Sequence, residues 1–333
     1  MAARRAWISG ITGQDGAYLA KSLLAKGYEV WGGSRSLSQS SANLVALGIA
    51  DRVQLQPVAW TDRQSLRVMI ESARPDEIYH LAGQSSVGLS FSEPRETWES
   101  IATATLNLLE VVKECAPSIR IYHAGSSECF GDTRGHIIDE TTPFRPQNPY
   151  AIAKVAAMEW VRYYRDVCGL FACSGVLFNH ESPLRSSRFV TRKIVAAACR
   201  IAAGSTETLQ LGDLSIERDW GWAPEYVESM YLMLRQEKAD DFIIATGHSI
   251  SLERFTEIAF AAVGKDWRDH VSSDARLYRS GDARVVRANP EKAWRQLGWR
   301  ACVRAEDVIA RLVAMEALNR NGSGSKDRKW GVD

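Results

Sequence analysis

Short apolar runs typical of buried strands alternate, in the first half of the chain, with stretches whose apolar residues recur at helical spacing. The predicted strands are Arg5–Ser9, Tyr28–Gly32, Glu77–Leu81, Ile119–His123 and Phe171–Phe178. The predicted helices are Asp15–Lys26, Thr103–Lys113 and a long helix that begins near Pro149. Because strands that alternate with helices usually pair in parallel, the pattern predicts an α/β fold with a doubly wound parallel sheet.

The second half of the chain is less regular. Loops that carry Asn179–Arg192 and Leu209–Gly221 favour a smaller, mostly α-helical lobe over the carboxyl edge of the sheet. A chain of 333 residues also exceeds the usual size of one hydrophobic core. We expect a Rossmann-type dinucleotide-binding domain formed by residues 1–178 and 214–246. Residues 179–213 and 247–320 would form a substrate-binding lobe, and residues 321–333 a disordered tail.

Composition narrows the classes of function. The chain is 45% hydrophobic and 24% charged, with a net charge of +1, so it has no overall field to hold nucleic acid or an anionic membrane. No apolar run reaches the about 18 residues of a membrane helix, and the N-terminus lacks the features of a signal peptide. Six scattered cysteines without a C-x-x-C pair are typical of reduced thiols in a cytoplasmic protein, and no metal site is expected.

The segment GITGQDG, Gly10–Gly16, lies between the first predicted strand and the first predicted helix. Its glycines would allow a tight turn, and the helix N-terminus would present N–H groups to a pyrophosphate. A loop that only requires positive φ values is the alternative. The strand–turn–helix context favours a dinucleotide site.

The residues after the second predicted strand bear on the type of cofactor. They are Gly33-Ser34-Arg35-Ser36, without a carboxylate to accept from a free ribose 2′-hydroxyl. A cation at this point pairs with a 2′-phosphate, so the segment predicts NADP, bound by Arg35 and by Ser34 or Ser36. A solvated loop arginine is the alternative.

Tyr150 and Lys154 are four residues apart on the long predicted helix, so their side chains share one face. We expect the lysine to lower the pKa of the phenol and make a phenolate available near neutral pH. Such a base can remove a hydroxyl proton while hydride leaves the same carbon for nicotinamide. The spacing alone is weak, because tyrosines often pack and lysines are often solvated on helices.

The segment GSSECFG, Gly125–Gly131, follows the strand that ends at His123. Ser126 could hydrogen-bond the substrate oxygen that Tyr150 deprotonates, and Glu128 would supply a second acid–base group. Once C4 of a sugar is a ketone, its C5 proton becomes acidic and a carboxylate can remove it. Loss of the C6 hydroxyl as water and return of hydride to C6 would complete a redox-neutral cycle. An exposed loop glutamate is the alternative.

These segments resemble the GDP-mannose 4,6-dehydratase family of extended short-chain dehydrogenases/reductases. The resemblance covers roughly residues 5–315, and its FNHESP and RDWG segments are specific to that branch. The matching segments are Gly10–Leu19 (GITGQDGAYL), Ser126–Glu128 with Phe130-Gly131, Thr142–Phe144 leading to Asn148–Tyr150, Leu177–Pro183 (LFNHESP), Phe189–Lys193 (FVTRK), Arg218–Gly221 (RDWG), Glu225–Glu228 (EYVE) and Pro290–Trp299 (PEKAWRQLGW).

The resemblance implies a role for each candidate residue. Tyr150 would be the base for C4 oxidation, Lys154 its partner on the nicotinamide ribose, Ser126 the hydroxyl where the family usually has threonine, and Glu128 the base at C5. The implied cofactor residues are Gly10, Thr12, Gly13, Gln14, Asp15, Gly16, Ser34, Arg35, Ser36, Leu81, Ala82 and Gln84, with Tyr150 and Lys154. The implied substrate residues are Ser86, Asn179, Val190, Lys193, Gly212, Arg218, Arg279 and Asp282, with Arg218 as the main anchor.

Several positions depart from the family pattern. Ser36 stands where a second arginine is usual, and Ala59 stands where an aspartate usually meets the adenine. Ile101 replaces a polar helix residue, Arg284 stands where an acid is common, and Asp282 is one carbon shorter than the usual acid. The catalytic set is retained, whereas the exact sugar and the adenine contacts stay open.

The resulting prediction is an NADP-dependent enzyme that dehydrates GDP-mannose to its GDP-4-keto-6-deoxy sugar. The alternatives are the same chemistry on a GDP-heptose, a nucleotide-sugar epimerase, reductase or decarboxylase on the same scaffold, and a non-enzymatic NADP-sensing protein. The helices Thr97–Lys113 and Tyr150–Val167 are rich in apolar residues and pair across a dimer contact in related enzymes. We therefore expect a homodimer, and a homotetramer remains open.

Overall fold

The computed structural model describes residues 3–34, 42–278, 281 and 283–321, with the backbone alone at Ser34 and Asn321. Its strands are, in chain order, β1 (Arg5–Ser9), β2 (Glu29–Ser34), β3 (Gln54–Pro57), β4 (Glu77–His80), β5 (Arg120–Ser126), β6 (Ile137–Ile138), β7 (Ala172–Leu177), β8 (Asn179–Glu181), β9 (Leu209–Leu211), β10 (Glu217–Trp222), β11 (Phe242–Ile244), β12 (Ser249–Ser251), β13 (Val271–Ser273) and β14 (Arg287–Ala288). Its α-helices are α1 (Gln14–Ala25), α2 (Ala42–Ala46), α3 (Arg63–Ala73), α4 (Val87–Ser92), α5 (Pro94–Trp98), α6 (Ala104–Cys115), α7 (Pro149–Asp166), α8 (Val190–Ala202), α9 (Ala223–Met233), α10 (Leu252–Ala261), α11 (Glu291–Leu297) and α12 (Ala305–Asn321).

Seven strands form the central sheet in the order β11–β7–β5–β4–β1–β2–β3, and every neighbouring pair is parallel. Successive side chains of a strand point to opposite faces of the sheet. Ala6 and Ile8 of β1 therefore pack in the core with α1 and α9, whereas Trp7 packs with α3 and α6 on the other face. The sheet is covered on both faces, and the predicted Rossmann-type fold is confirmed.

The five predicted strands are present as β1, β2, β4, β5 and β7. Strand β5 extends to Ser126, beyond the predicted end at His123, and so carries a candidate catalytic hydroxyl to the edge of the sheet. Strands β3 and β11 lie outside the predicted set. They have four and three residues and form the two edges of the sheet, and such short segments show no clear periodicity.

The smaller lobe has its own hydrophobic core. Helices α8, α10 and α12 pack around buried side chains that include Trp220 and Phe255, beside the short sheet β12–β10–β8. Helix α9 then returns to pack against α1, and β11 pairs with β7 of the main sheet. This course matches the predicted mostly helical lobe, while the exact domain bounds remain a prediction. Residues 322–333 of the predicted tail lie outside the described residues.

The predicted helix at Thr97–Lys113 is longer and irregular. A π-helical turn, Glu99–Thr103, joins α5 to α6. This turn brings the Ser100 hydroxyl to the backbone N–H of Gln84, which donates to it over 3.3 Å. Turns of this kind often occur at functional sites, and here the turn packs on the loop that follows β4.

Within the described ranges, none of the helices combines the length and the apolar character that a membrane crossing requires.

Candidate active site

The candidate residues of the first half of the chain converge because their strands are parallel. Strands β1, β4 and β5 are neighbours, and their carboxyl ends meet at one edge of the sheet. That edge carries the Gly10–Gly16 loop, the loop that begins at Leu81, and Ser126. Parallel sheets bind ligands at this edge, so the architecture places the predicted site where the fold favours one.

Ser126 and Tyr150 form the centre of the site. Ser126 ends β5, Tyr150 lies in the first turn of α7, and both residues are buried. Burial raises the pKa of the Tyr150 phenol above its ordinary value, while a hydrogen bond with the Ser126 side chain acts in the opposite direction. The sequence prediction that these two hydroxyls share one site is consistent with this contact.

Lys154 does not act on the phenol as predicted. Its Nζ donates to the backbone carbonyl of Ala124 over 2.7 Å and lies 5.9 Å from the centroid of the Tyr150 ring. Burial lowers the pKa of Lys154 to about 8. The expected lowered pKa of Tyr150 is therefore wrong for this structure, because the loss of solvation at the buried phenol outweighs the hydrogen bond with Ser126 and the charge of Arg185.

Glu128 is held towards the start of α7 by a residue that the sequence analysis did not single out. The Asn148 Nδ2 donates to Glu128 Oε2 over 3.2 Å, while its Oδ1 accepts from the backbone N–H of Ala151 over 2.8 Å. Asn148 is thus the N-cap of α7 and also a hydrogen-bond donor to the candidate carboxylate of Glu128. The signal was present in the sequence as an asparagine directly before Pro149, a common start of a helix.

The Gly10–Gly16 loop has the shape of a phosphate cradle. Gly10 has φ +67°, and a Cβ on Gly16 would clash with the carbonyl oxygen of Gly10. Gly13 is the N-cap of α1, and no described side chain caps that helix. The first backbone N–H groups of α1 therefore point towards the glycine loop. The residues present fit a pyrophosphate, with Thr12 inside the same turn.

The side chains of Gln14 and Asp15, both predicted cofactor residues, are engaged with the FNHESP segment. Gln14 accepts from the Ser182 hydroxyl over 2.8 Å and donates to the carbonyl of His180 over 3.2 Å. Asp15 Oδ2 lies 2.9 Å from His180 Nε2, and the imidazole stacks on Tyr226 at 4.6 Å between ring centroids. The contact links the cofactor loop to β8.

His180 is buried and hydrogen-bonded to the partly exposed Asp15, and the two form an ion pair when the imidazole is protonated. Burial disfavours the imidazolium, but the charge of Asp15 and the hydrogen bond to it outweigh burial and raise the pKa of His180. Burial likewise opposes the charged form of Asp15, yet the charge of His180 leaves the pKa of that carboxyl lowered. The Arg185 guanidinium lies 3.6 Å from the ring centroid of Phe189. Its positive charge favours the charged forms of both Asp15 and Tyr150 and so acts to lower both pKa values.

The loop after β4 contains four predicted residues. The backbone N–H groups of Leu81 and Ala82 both donate to the Ser9 hydroxyl over 2.8 Å. The Gln84 side chain donates to the carbonyl of Ser86 over 2.8 Å, and Ser86 is the N-cap of α4. The structure therefore shows a loop with internal support, and the predicted contacts of these residues with cofactor or substrate stay predictions.

The predicted substrate residues of the described part lie on the smaller lobe, apart from Ser86. Arg218 is 6% exposed, and its Nη1 donates to the carbonyls of Glu217 and Ala283 over 2.9 and 2.7 Å. These contacts hold the guanidinium in place, and Asn179 lies on the neighbouring strand β8, opposite Trp220 of β10. The remaining members are Val190 at the start of α8, Lys193 exposed in α8 and Gly212 after β9.

Four predicted residues lie outside the described residues, and a fifth is described by its backbone alone. The four are Arg35, Ser36, Arg279 and Asp282, and the fifth is Ser34 at the end of β2. Their predicted roles stay predictions. In the described part of the chain, no three His, Cys, Asp or Glu side chains are grouped so as to hold a metal ion.

Comparisons with known proteins agree with the resemblance. The sequence model of the family described as GDP-mannose 4,6 dehydratase matches residues 7–312. This chain belongs to that family. It is 43% identical over 319 residues to GDP-mannose 4,6 dehydratase 2 of Arabidopsis thaliana, which covers 92% of this chain and 85% of the relative. It is 37% identical over 334 residues to GDP-mannose 4,6 dehydratase of Homo sapiens, with 92% and 90% covered.

Solved structures of related folds superpose closely. The dTDP-glucose 4,6-dehydratase of Streptomyces venezuelae, solved with NAD bound, has a TM-score of 0.85 at 25% identity and covers 95% of this chain and 98% of that one. The UDP-glucose 4-epimerase of Thermotoga maritima has a TM-score of 0.84 at 21% identity, with 95% and 99% covered. Membership of the GDP-mannose 4,6-dehydratase family confirms the resemblance. It favours dehydration of GDP-mannose over dehydration of a GDP-heptose and over the epimerase, reductase, decarboxylase and sensor alternatives.

Replacing His180 by glutamine should destabilise the protein most in mild acid. The raised pKa of His180 means that its stabilising charge is present below its unfolded value of about 6.5 and is lost as the pH rises through the folded value. Asp15 stays charged over this range, since its pKa is lowered. Denaturant unfolding of both proteins from about pH 6 to about pH 9 should show the stability difference shrinking with pH. A constant or growing difference would contradict the ion pair.

Proposed function

We propose that this chain converts GDP-mannose to GDP-4-keto-6-deoxymannose, losing one water per turnover and recycling a bound NADP. One observation carries the proposal: Ser126, Tyr150 and Glu128 lie together at the carboxyl edge of the sheet, beside a glycine loop shaped for a pyrophosphate. A plain dehydrogenase needs the two hydroxyls but not the carboxylate. The family membership supports the same reaction.

The first half of the reaction would use Tyr150 and Ser126. Tyr150, as phenolate, would accept the proton of the C4 hydroxyl, and the Ser126 hydroxyl would donate a hydrogen bond to the same oxygen. The Gly10–Gly16 loop would hold the nicotinamide cofactor, and the chemistry supplied by that group would be reversible hydride transfer, from C4 in this half and to C6 in the second. Because burial raises the pKa of Tyr150, substrate and cofactor must contribute to forming the phenolate, together with the nearby charge of Arg185.

The second half would use Glu128. The C4 ketone acidifies the C5 proton, which Glu128 would accept, and the resulting carboxyl would donate that proton to the departing C6 hydroxyl. Hydride return to C6 leaves an enolate, and C5 would then gain one proton, which balances the proton that Tyr150 removed from the C4 hydroxyl. Asn148 supports this role, since its amide donates to Glu128 Oε2 over 3.2 Å and so orients the carboxylate. Asn148 is thus a positioning residue for the base rather than an acid or base itself.

NADP, rather than NAD, is favoured by Arg35 after β2. The end of β2 is the position at which this fold contacts the adenine ribose, and the segment there has a cation and no carboxylate. The dTDP-glucose 4,6-dehydratase of Streptomyces venezuelae holds NAD on a closely similar fold, which supports a nicotinamide dinucleotide here. On the substrate side, Arg218 is the proposed anchor of the diphosphate of the GDP-sugar, and Asn179 is a further proposed contact on the adjacent strand β8.

The Glu128→Gln variant should oxidise C4 but fail to eliminate water. The amide cannot accept the C5 proton, so a 4-keto sugar that retains its C6 hydroxyl should accumulate with reduced cofactor. Mass spectrometry and NMR of the products identify that species, whereas the unaltered enzyme should release a sugar lighter by one water without net use of cofactor.

Tyr150→Phe is the matched control for this experiment. It removes only the phenol oxygen, so neither the keto sugar nor the dehydrated product should form, while affinity for GDP should stay nearly unchanged. Normal turnover of Glu128→Gln would assign the C5 proton to another group. A large loss of GDP affinity in Tyr150→Phe would make Tyr150 structural.

Arg35→Ala should weaken NADP binding by about tenfold or more and leave NAD binding nearly unchanged, because the cation would pair only with the 2′-phosphate. Titration of both dinucleotides by intrinsic fluorescence measures the two affinities. Lys21→Ala, on the surface of α1, is a matched loss of charge and should change neither. Equal affinity of the unaltered protein for NADP and NAD would contradict the assignment.

A homodimer through α7 is also proposed. Ile152, Trp160 and Tyr163 of α7 and the adjoining Val167 are exposed by 48%, 37%, 46% and 69%, and helical geometry places them on one face. Trp98 of the neighbouring α5 is 44% exposed beside them. So many exposed large apolar side chains on packed helices are typical of an interface. A cytoplasmic location remains a prediction.

Trp160→Glu should convert the dimer to monomer, raising the dissociation constant by about thirtyfold or more, because a carboxylate would be buried without a partner. Light scattering over a range of concentrations measures the change. Trp294→Glu is the control, since Trp294 is 53% exposed on α11, away from this face, and should leave the dimer intact. A monomeric unaltered protein would overturn the proposal.

A further inference from the structure

A row of buried polar side chains crosses the central sheet just below the candidate site. Ser9 of β1 is in register with His80 of β4, His80 with His123 of β5, and His123 with Ser174 of β7. All four residues are at most 2% exposed. Buried polar groups are costly unless they are hydrogen-bonded, so such a row in the middle of a sheet calls for a physical role.

The hydroxyl of Ser9 has a defined direction. It accepts two hydrogen bonds, from the backbone N–H groups of Leu81 and Ala82, and it lies 3.0 Å from His80 Nδ1. Because both acceptor positions of the hydroxyl are used, its proton is donated to Nδ1. His80 is then the neutral tautomer with its proton on Nε2, in agreement with burial, which lowers the pKa of His80 to about 3.

Ser9 therefore connects two loops of the candidate cofactor site. It directly precedes Gly10, the first residue of the glycine loop, and it holds the first two residues of the loop after β4. The two loops also approach each other closely, since a Cβ added to Gly10 would lie only 3.3 Å from the Ala82 Cα. The spacing of the loops thus depends on the Ser9 hydroxyl and on a glycine at position 10.

We propose that Ser9, with its hydroxyl oriented by His80, is a positioning residue that fixes the spacing of the two loops for the dinucleotide. The inference rests on the proposed function, because it takes these loops to bind the cofactor. Ser9 does not touch the reacting atoms. It acts by keeping two backbone N–H groups in place and so preorganises the loop before binding.

Ser174 offers a matched control on the same row. Its hydroxyl lies 3.4 Å from His123 Nδ1, so it repeats the pairing of a serine with the Nδ1 of a histidine on the adjacent strand, at equal burial. It has no hydrogen bond to either loop among the described residues. Ser174→Ala should therefore reproduce the loss of a buried serine hydroxyl without the loss of loop spacing.

The test compares NADPH affinity, measured by fluorescence, with GDP affinity, measured by calorimetry. Ser9→Ala should weaken NADPH binding by about tenfold, because two N–H groups lose their acceptor, and should leave GDP binding within about twofold. Ser174→Ala should leave both affinities within about twofold. A thermal melt of each variant checks that the two substitutions cost similar stability.

A second pair of variants tests the orientation by His80. His80→Asn keeps an acceptor oxygen near the position of Nδ1 and should retain NADPH affinity, whereas His80→Leu leaves the Ser9 proton without an acceptor and should weaken it by about threefold or more. The inference would be overturned, with the proposed function unaffected, by either of two results. One is equal NADPH affinity of the unaltered chain and Ser9→Ala, and the other is an equal loss of NADPH affinity in Ser9→Ala and Ser174→Ala. An unaltered chain that fails to bind NADPH would overturn the proposed function, and the inference with it.

Discussion

The hydrogen bonds of Asn148 tie the start of α7 to the end of β5, and the candidate chemistry depends on that junction. One side chain caps the helix and also holds the Glu128 carboxylate, so the helix that carries Tyr150 and Lys154 cannot shift without moving the base. Tyr150 then meets Ser126 from the strand edge. The distance between the two acid–base groups is therefore set by helix capping rather than by a flexible loop.

Burial governs the protonation of the site. It raises the pKa of Tyr150, lowers that of Lys154 to about 8 and keeps His80 neutral beneath them. The Lys154 ammonium donates to the backbone carbonyl of Ala124 and lies 5.9 Å from the centroid of the Tyr150 ring, so its charge is not paired with the phenol oxygen. At Tyr150, the charge of Arg185 opposes the effect of burial on the pKa, whereas the charges of Cys129 and Glu128 add to it.

The two lobes are joined at the same place. The contacts of Gln14 and Asp15 with the FNHESP segment link the glycine loop to β8, whose strand pairs with β10 and hence with Arg218. The Asp15–His180 ion pair thus lies between the elements proposed for cofactor and for substrate.

The sequence by itself determined the fold class, most of the central strands and the family, since apolar periodicity and short motifs are local properties of the chain. It did not determine the role of Asn148, the pairing of Asp15 with His180, or the sign of the shift in the pKa of Tyr150. Each of these depends on which groups meet across the fold and on how much water they lose. Only the tertiary structure decides those, because desolvation and long-range contacts have no signature in residue spacing.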